Sequence, residues 1–360
     1  MRILALPRYG RLGASSRTRF MQYMPWLEAE KIEVEFCSLF PDSYVAGLQQ
    51  NRRDWWEVFQ SYTRRLMSLL RSREFDLLWI EKELLPWLPF WLEHFLLSAR
   101  VPYVLDYDDA VYHYYDQHRH SIVRKILARK HPQLMRHASL VIVGNAYLAE
   151  FARSASSHRV EVLPTAVDLN RYCLERERLS ESDGSIPCVG WIGQRATARY
   201  LEPFVSMFKQ FTDLGKARFA AIGIDTQAMG LPMESVVWNE QSEADSIRRF
   251  DIGIMPLTDA PLERGKCGYK LIQYMACGLP VVASPVGVNT QIVRHGINGF
   301  LADTPDEWRA ALETLLTDTA LRRQMGRAGR AMVEKEYCIQ VTGPKLVDLL
   351  NAIGSDRQRA

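Results

Sequence analysis

Short apolar runs, each bounded by polar, glycine or proline residues, recur along the chain with helix-periodic segments between them. In the first half the runs fall at 2–6, 32–37, 76–80, 102–105, 140–143 and 160–163, and in the second at 187–192, 217–222, 235–238, 251–255, 280–283 and 299–301. Most of them are continuously apolar rather than alternating, as strands are when helices cover both faces of a sheet. Helical periodicity is clearest at 201–211 and in the long stretch 326–350. The pattern predicts an α/β protein made of two Rossmann-like domains facing across a cleft at the carboxyl ends of their strands, where such folds bind ligands.

The break between domains shows as a change in composition. Residues 1–168 form the expected N-terminal domain, and the charged, Ser/Gly-rich stretch 169–186, within "LNRYCLERERLSESDGSIP", reads as a linker. The second domain is expected over 187–335. Residues 336–360 form a C-terminal helix, expected to pack back on the first domain, with a polar, frayed tail.

Composition narrows the function classes. A chain of 360 residues has room for two cores. A net charge of only +3 argues against a nucleic-acid partner, whose binding domain is usually strongly basic. The six cysteines include no C-x-x-C pair, which removes zinc knuckles and redox motifs and fits a reducing cytoplasm. The N-terminus has no apolar run long enough for a signal peptide, and no stretch reaches 18 apolar residues, so cytoplasmic localisation is expected.

Two stretches of the second domain carry candidate chemistry. In "VGWIGQRATARYL" (189–201) a strand ends in a glycine-bearing turn, at Gly190 and Gly193, and a helix starts near Thr197. Backbone approach at a glycine, free helix N–H groups and the charges of Arg195 and Arg199 suit a diphosphate. A tight turn with solvated arginines accounts for the same residues. In "LERGKCGYKLIQYMACGLPVVASPVG" (262–287), Lys266 and Lys270 precede a packed helix and Gln273 follows at helical spacing. Lysines reach phosphates as flexible point charges, and an amide bonds sugar or ribose hydroxyls.

The first domain offers "VLDYDDAVYHYYD" (104–116) directly after a strand. The D-x-D spacing of Asp106 and Asp108 admits a divalent-metal reading. Alternatively Asp108 or Asp109 orients or deprotonates an acceptor hydroxyl, or caps the next helix. The loop "RYGRLGASSRTR" (8–19), with Gly13, Ser16, Arg17 and Arg19, allows approach of a phosphate on donor or acceptor, and Glu81 in "WIEKELLP" (79–86) lies in a similar position. In "NRRDWWEVFQSYTRRLMSLLRSR" (51–73), Trp55, Phe59, Tyr62, Leu66 and Leu69 share a helical face amid arginines. Such a helix either packs its stripe on a sheet or lies on an anionic membrane. The aromatic stretch "LLPWLPFWLEHFLL" (84–97) adds apolar surface to the same domain.

The segment "YMACGLPVVASPVGVNTQIVRHGINGFLA" (274–302) resembles the donor-site segment of the family 4 (group 1) retaining glycosyltransferases of the GT-B fold. The likeness continues through "SSRTRFMQYMPWLE" (15–28), "LVIVGNAYLAEFA" (140–152), "VLPTAVDLNRY" (162–172) and "GWIGQRATARYL" (190–201). The resemblance implies transfer of a sugar from a nucleotide-sugar donor with retention of configuration and without a required metal or other cofactor. It implies that Arg199 and Lys270 or Lys266 steady the donor diphosphate, which with the strand-end reading of Asp108 and Asp109 makes Asp108, Asp109, Arg199 and Lys270 the catalytic candidates. Donor contacts would come from Gly13, Gly193, Arg195, Lys266, Gln273, Glu263, Val286 and Gly287. Ser16, Arg17, Arg19, Glu81 and Asp106 would serve the acceptor side. Gly265 and Gln273 stand where the family commonly has the two glutamates of an E-x7-E motif, and Glu263 is the stand-in for the first.

The leading expectation is a glycosyltransferase acting on a lipid-linked glycan acceptor in cell-surface polysaccharide assembly, at the inner face of the membrane and in peripheral contact with anionic lipid. A nucleotide-sugar epimerase or hydrolase of the same fold, and a non-catalytic partner, remain as alternatives. No G-x-G-x-x-G follows the first strand, which argues against a nicotinamide enzyme.

Overall fold

The computed structural model describes residues 1–49, 52–97, 101–172 and 186–359. The chain divides into two compact units, one of Met1–Thr165, Arg264–Cys267 and Ile339–Ala360, the other of Ala166–Glu263 and Gly268–Cys338. Most of the 169–186 linker expectation falls outside the described residues.

The first unit is built on a six-stranded sheet: β1 (Arg2–Leu6), β2 (Glu33–Phe36), β3 (Leu77–Glu81), β4 (Tyr103–Tyr107), β5 (Leu140–Val143) and β6 (Val160–Val162). Its spatial order is β2-β1-β3-β4-β5-β6 and every pairing is parallel. The second unit repeats the architecture with β7 (Cys188–Ile192), β8 (Arg218–Ile222), β9 (Glu234–Val236), β10 (Ile252–Met255), β11 (Val281–Ala283) and β12 (Gly299–Leu301). Its order is β12-β11-β10-β7-β8-β9, again all parallel. Two parallel-sheet α/β units are therefore present, as the strand pattern predicts.

The continuous apolar strands have the expected cause. In β7, Cys188 and Ile192 join one core with Tyr274 and Met275, while Val189 and Trp191 join a second core with Phe208 and Trp308. Both faces are covered, so neither can be polar.

Helices depart from the sequence reading in three places. The predicted 201–211 helix begins as the 3-10 turn Arg199–Phe204, with Pro203 inside it, and becomes α-helical only over Val205–Asp213. The predicted 326–350 helix is two, Thr319–Glu336 and Ile339–Arg359, and the second, a part of the first unit, runs on through the polar tail. On helix Trp55–Leu70 the expected apolar stripe splits. Leu69 is buried and Tyr62 packs partly buried against the core, whereas Trp55, Phe59 and Leu66 are exposed and Ser61 and Arg65 take inward positions. Arg65 turns inward because its guanidinium caps backbone carbonyls, donating to Pro7 O at 2.7 Å and Cys37 O at 3.3 Å.

Candidate functional site

In the first unit the chemistry gathers where β3 and β4 end. Asp106, the penultimate residue of β4, is buried and accepts from Arg19 Nε at 2.7 Å, and Arg19 also donates to Leu163 O at 2.7 Å. Both side chains are 1% exposed, so Arg19 and Asp106 hold each other inside the unit and present no open charge to a ligand. Burial pushes the Asp106 carboxyl up to about 6, even with the guanidinium beside it.

The next carboxylate has a different partner. Lys82 Nζ lies 2.7 Å from Asp108 Oδ1, 3.4 Å from Glu81 Oε1 and 3.3 Å from Ser15 Oγ. Burial works against the Asp108 charge, but Lys82 outweighs it and keeps the carboxyl below its ordinary value. Lys82 itself stands in the left-handed region at φ 62°, a conformation that costs a side-chain-bearing residue about 1 kcal/mol or more. Asp109 faces Lys266 Nζ at 3.5 Å and accepts from Ala110 N at 3.0 Å, and burial raises its carboxyl above the ordinary value.

Each aspartate of the D-x-D pair thus has a cation of its own, Arg19 for Asp106 and Lys82 for Asp108. Among the described residues, no group of three or more His, Cys, Asp or Glu is arranged to hold a metal ion.

The amino-terminal loop is tied to the same strand ends. Glu81 accepts from Ser16 Oγ at 3.0 Å and from Arg8 N at 2.9 Å. Gly13 precedes helix Ala14–Arg19, and Arg17, on that helix, donates to Arg11 O at 2.7 Å. Glu83 anchors a buried network that the sequence reading missed. Its carboxylate meets Lys130 Nζ at 2.7 Å and accepts from Tyr115 OH at 3.0 Å, and Lys130 also pairs with Glu93 at 2.7 Å. Burial would raise Glu83, but Lys130, His131 and Arg8 hold it at about 2, while burial lowers His131 to about 4. Three successive charged residues, Glu81 to Glu83, directly after an apolar strand were the available signal, since a charge run at a buried strand end needs partners.

In the second unit the candidate residues sit after β7. Lys270 Nζ lies 4.1 Å from the centre of the Trp191 ring and 3.4 Å from Thr197 Oγ1. Gly193 lies under this lysine. A Cβ there would fall 2.6 Å from the Trp191 ring and 2.7 Å from Lys270 Nζ, so only glycine leaves the amine in place. The helix at 195 is a single turn, Arg195–Ala198, with Arg195 exposed. Arg199 has a side chain 60% exposed, 3.2 Å from Glu263 Oε1 and stacked 5.0 Å over Tyr200. Glu263 is buried beneath it, also bonded to the Tyr200 hydroxyl. Val286 is buried in the turn after β11, and Gly287 follows at φ 54°.

Lys270 and Gln273 start from one helix, Tyr269–Ala276, and diverge. Gln273 is 2% exposed and donates to Tyr172 OH at 2.8 Å. That hydroxyl donates to Glu243 Oε1 at 2.8 Å, and Glu243 Oε2 accepts from Trp238 Nε1 at 2.6 Å. Lys266 belongs to the first unit, where Asn145 Nδ2 donates to the Gly265 and Lys266 carbonyls at 2.9 and 3.0 Å. A side chain at 265 has no room, because its Cβ would lie 2.3 Å from Ala110 Cβ. Neither position 265 nor position 273 is therefore an open site for a carboxylate.

The family match falls largely on this second unit. Residues 189–318 match the family model Glycosyl transferases group 1. Among curated proteins, the D-inositol 3-phosphate glycosyltransferase of Segniliparus rotundus is 31% identical over 107 residues, covering 29% of this chain and 23% of that protein. The N-acetyl-alpha-D-glucosaminyl L-malate synthase of Bacillus anthracis is 32% identical over 77 residues, 21% of this chain and 20% of the relative. The aligned part thus spans about a fifth of the length of these curated relatives. Solved structures extend the likeness to the whole fold. Sucrose-phosphate synthase of Thermosynechococcus elongatus superposes with a TM-score of 0.72 at 14% identity, covering 99% of this chain and all of that one. Anabaena HepE in complex with UDP-glucose gives a TM-score of 0.67 at 18% identity, covering 98% of this chain and all of that one.

Proposed function

We propose that this chain is a glycosyltransferase that takes a sugar from a nucleotide-sugar donor, with the second unit holding the donor. The observation that carries the reading is the group 1 match over residues 189–318, which contains the Gly193, Thr197, Arg199 and Lys270 corner. Bond breaking leaves negative charge on the departing nucleoside diphosphate. Lys270 and Arg199, fixed beforehand against Trp191 and Tyr200, are suited to stabilise it without a metal ion. HepE, solved with UDP and UDP-glucose, supports a uridine diphosphate donor.

The finer reading is a retaining, metal-independent transfer to a lipid-linked glycan in cell-surface polysaccharide assembly on the cytoplasmic side of the membrane. Arg195, Val286, Gly287 and Glu263 would frame the donor. Asp108 and Asp109 would address the acceptor hydroxyl, with Ser16, Arg17, Glu81 and the Arg19–Asp106 pair shaping that side. Gln273 donates to the Tyr172 hydroxyl, so ribose contact would require that hydrogen bond to open.

A thermal-shift screen against UDP, GDP and ADP and their sugars tests the donor. Stabilisation by one nucleotide, followed by NMR of the product anomer formed with EDTA present, would support the reading. No shift with any nucleotide would favour a non-catalytic partner, the second reading, which Gly265 and Gln273 support by standing where the resembled family commonly has glutamates. Sugar turnover with no acceptor added would favour an epimerase or hydrolase.

A further inference from the structure

The first unit exposes large apolar side chains on three separate helices. On helix Trp55–Leu70, Trp56 is 64% and Phe59 61% exposed, and their rings stack 5.5 Å apart. On helix Phe90–Leu97, Trp91 is 69% and Phe95 76% exposed. Helix Ser121–Leu127 adds Ile122 and Ile126, both more than half exposed. Scattered apolar residues on a surface need no explanation, but these are joined. Tyr62 OH donates to Pro86 O at 2.6 Å, tying the first helix to the segment that leads into the second. Trp87, the next residue, is half-exposed, and its ring lies 5.8 Å from that of His118, at the entrance to the third.

Basic residues outnumber acids around these helices, where Asp54, Glu57 and Asp116 are the acids that are not buried. Arg52, Arg53, Arg64, Arg119, Arg124 and Lys125 are all exposed on or beside these helices. The acids at the start of the first helix are occupied: Asp54 caps it, accepting from Trp56 N at 2.8 Å, and Glu57 accepts from Ser43 Oγ at 2.5 Å. The fold also spends its inward positions on Ser61 and Arg65 while leaving aromatics outside. Packing against the sheet therefore does not account for the aromatic residues.

We propose that these helices dock the protein on an anionic phospholipid bilayer, with the tryptophan and phenylalanine rings inserted at the headgroup level and the arginines set against lipid phosphates. Aromatic side chains favour the membrane interface, and cations beside them gain from a negative surface potential. No helix among the described residues is long and apolar enough to cross a membrane, so the contact is interfacial.

The test uses the full chain and vesicles of phosphatidylcholine alone or mixed with phosphatidylglycerol, free of any glycan, so its outcome is independent of the transferase reading. The protein is expected to float with the mixed vesicles at low salt and to be released at high salt as the charges are screened. Brominated lipid should quench tryptophan fluorescence in the bound state. A variant combining Trp56→Ser, Phe59→Ser and Trp91→Ser should keep the wild-type Tm and bind at least roughly tenfold more weakly, since surface changes away from the core leave folding nearly unchanged. Failure to float at low salt overturns the proposal, as does undiminished binding by the variant. A wild-type dimer that ignores vesicles and that the variant abolishes would also overturn it, assigning these side chains to a second copy of the chain.

Discussion

Gln273 donates from its amide to the Tyr172 hydroxyl at 2.8 Å, and Tyr172 in turn donates a hydrogen bond to Glu243 at 2.8 Å. The direction of that chain requires a donor at 273. A glutamate there would set a second carboxylate against a hydroxyl whose only proton is already committed. Gln273→Glu is therefore expected to destabilise the second unit by about 3 kcal/mol, the cost of an unmet buried charge. Burial raises the new carboxyl above its unfolded value, so the deficit should be small in acid and grow as pH rises. Urea unfolding of both proteins across pH would show this. Equal midpoints at neutral pH would sink the account.

Asp106 is pushed up to about 6 by burial, whereas the unfolded chain releases this proton near 3.8. As pH rises between those values the unfolded state ionises first. Stability contributed by the protonated carboxyl is thus fully present below about 4 and lost by the time pH passes about 6. Across that window the stability advantage of the wild type over Asp106→Asn should fall by on the order of 3 kcal/mol, at 1.36 kcal/mol per pKa unit. His131 changes stability in the opposite sense over an overlapping range, so only the difference between the two proteins is diagnostic. Parallel pH profiles would rule the reading out.

The strands were legible because a sheet covered on both faces leaves a continuous apolar run that few other structures produce, as Cys188–Ile192 shows. The orientation of helix Trp55–Leu70 was not. Periodicity finds the apolar stripe but does not say which way it turns, and the carbonyls that draw Arg65 inward belong to residues far off in sequence. The cations of the candidate site were visible as residue types. Their pairing was not, since Lys82 with Asp108 and Lys270 with Trp191 depend on strand order and on a left-handed residue that composition does not reveal.

Lys82 is the group that keeps Asp108 ionised, so removing its charge while keeping its bulk should change how activity depends on pH. In Lys82→Met the buried Asp108 carboxyl loses its cation and its pKa moves from below to above the ordinary value. The acid limb of the transfer rate should move to higher pH, whereas Lys82→Arg should leave it nearly in place. A purely structural role would lower the rate at every pH without moving the limb. That result would remove Asp108 from the chemistry.

Lys270 provides the sharpest test of donor binding, because its amine stands 4.1 Å from the centre of the Trp191 ring and 3.4 Å from Thr197 Oγ1, in the corner proposed for the diphosphate. A cation placed this way attracts a diphosphate and is indifferent to the base and ribose. Lys270→Met should therefore weaken binding of a nucleoside diphosphate by roughly tenfold to a hundredfold, the range for one charge-assisted hydrogen bond, and leave the free nucleoside unaffected. Gly193→Ala should act in the same direction, since its Cβ would sit 2.7 Å from the amine and displace it. Calorimetry with UDP and uridine separates the cases. If both ligands weaken equally, Lys270 supports the shape of the site and not the diphosphate. If neither weakens, the phosphates lie elsewhere, and Arg199 is the cation to test next.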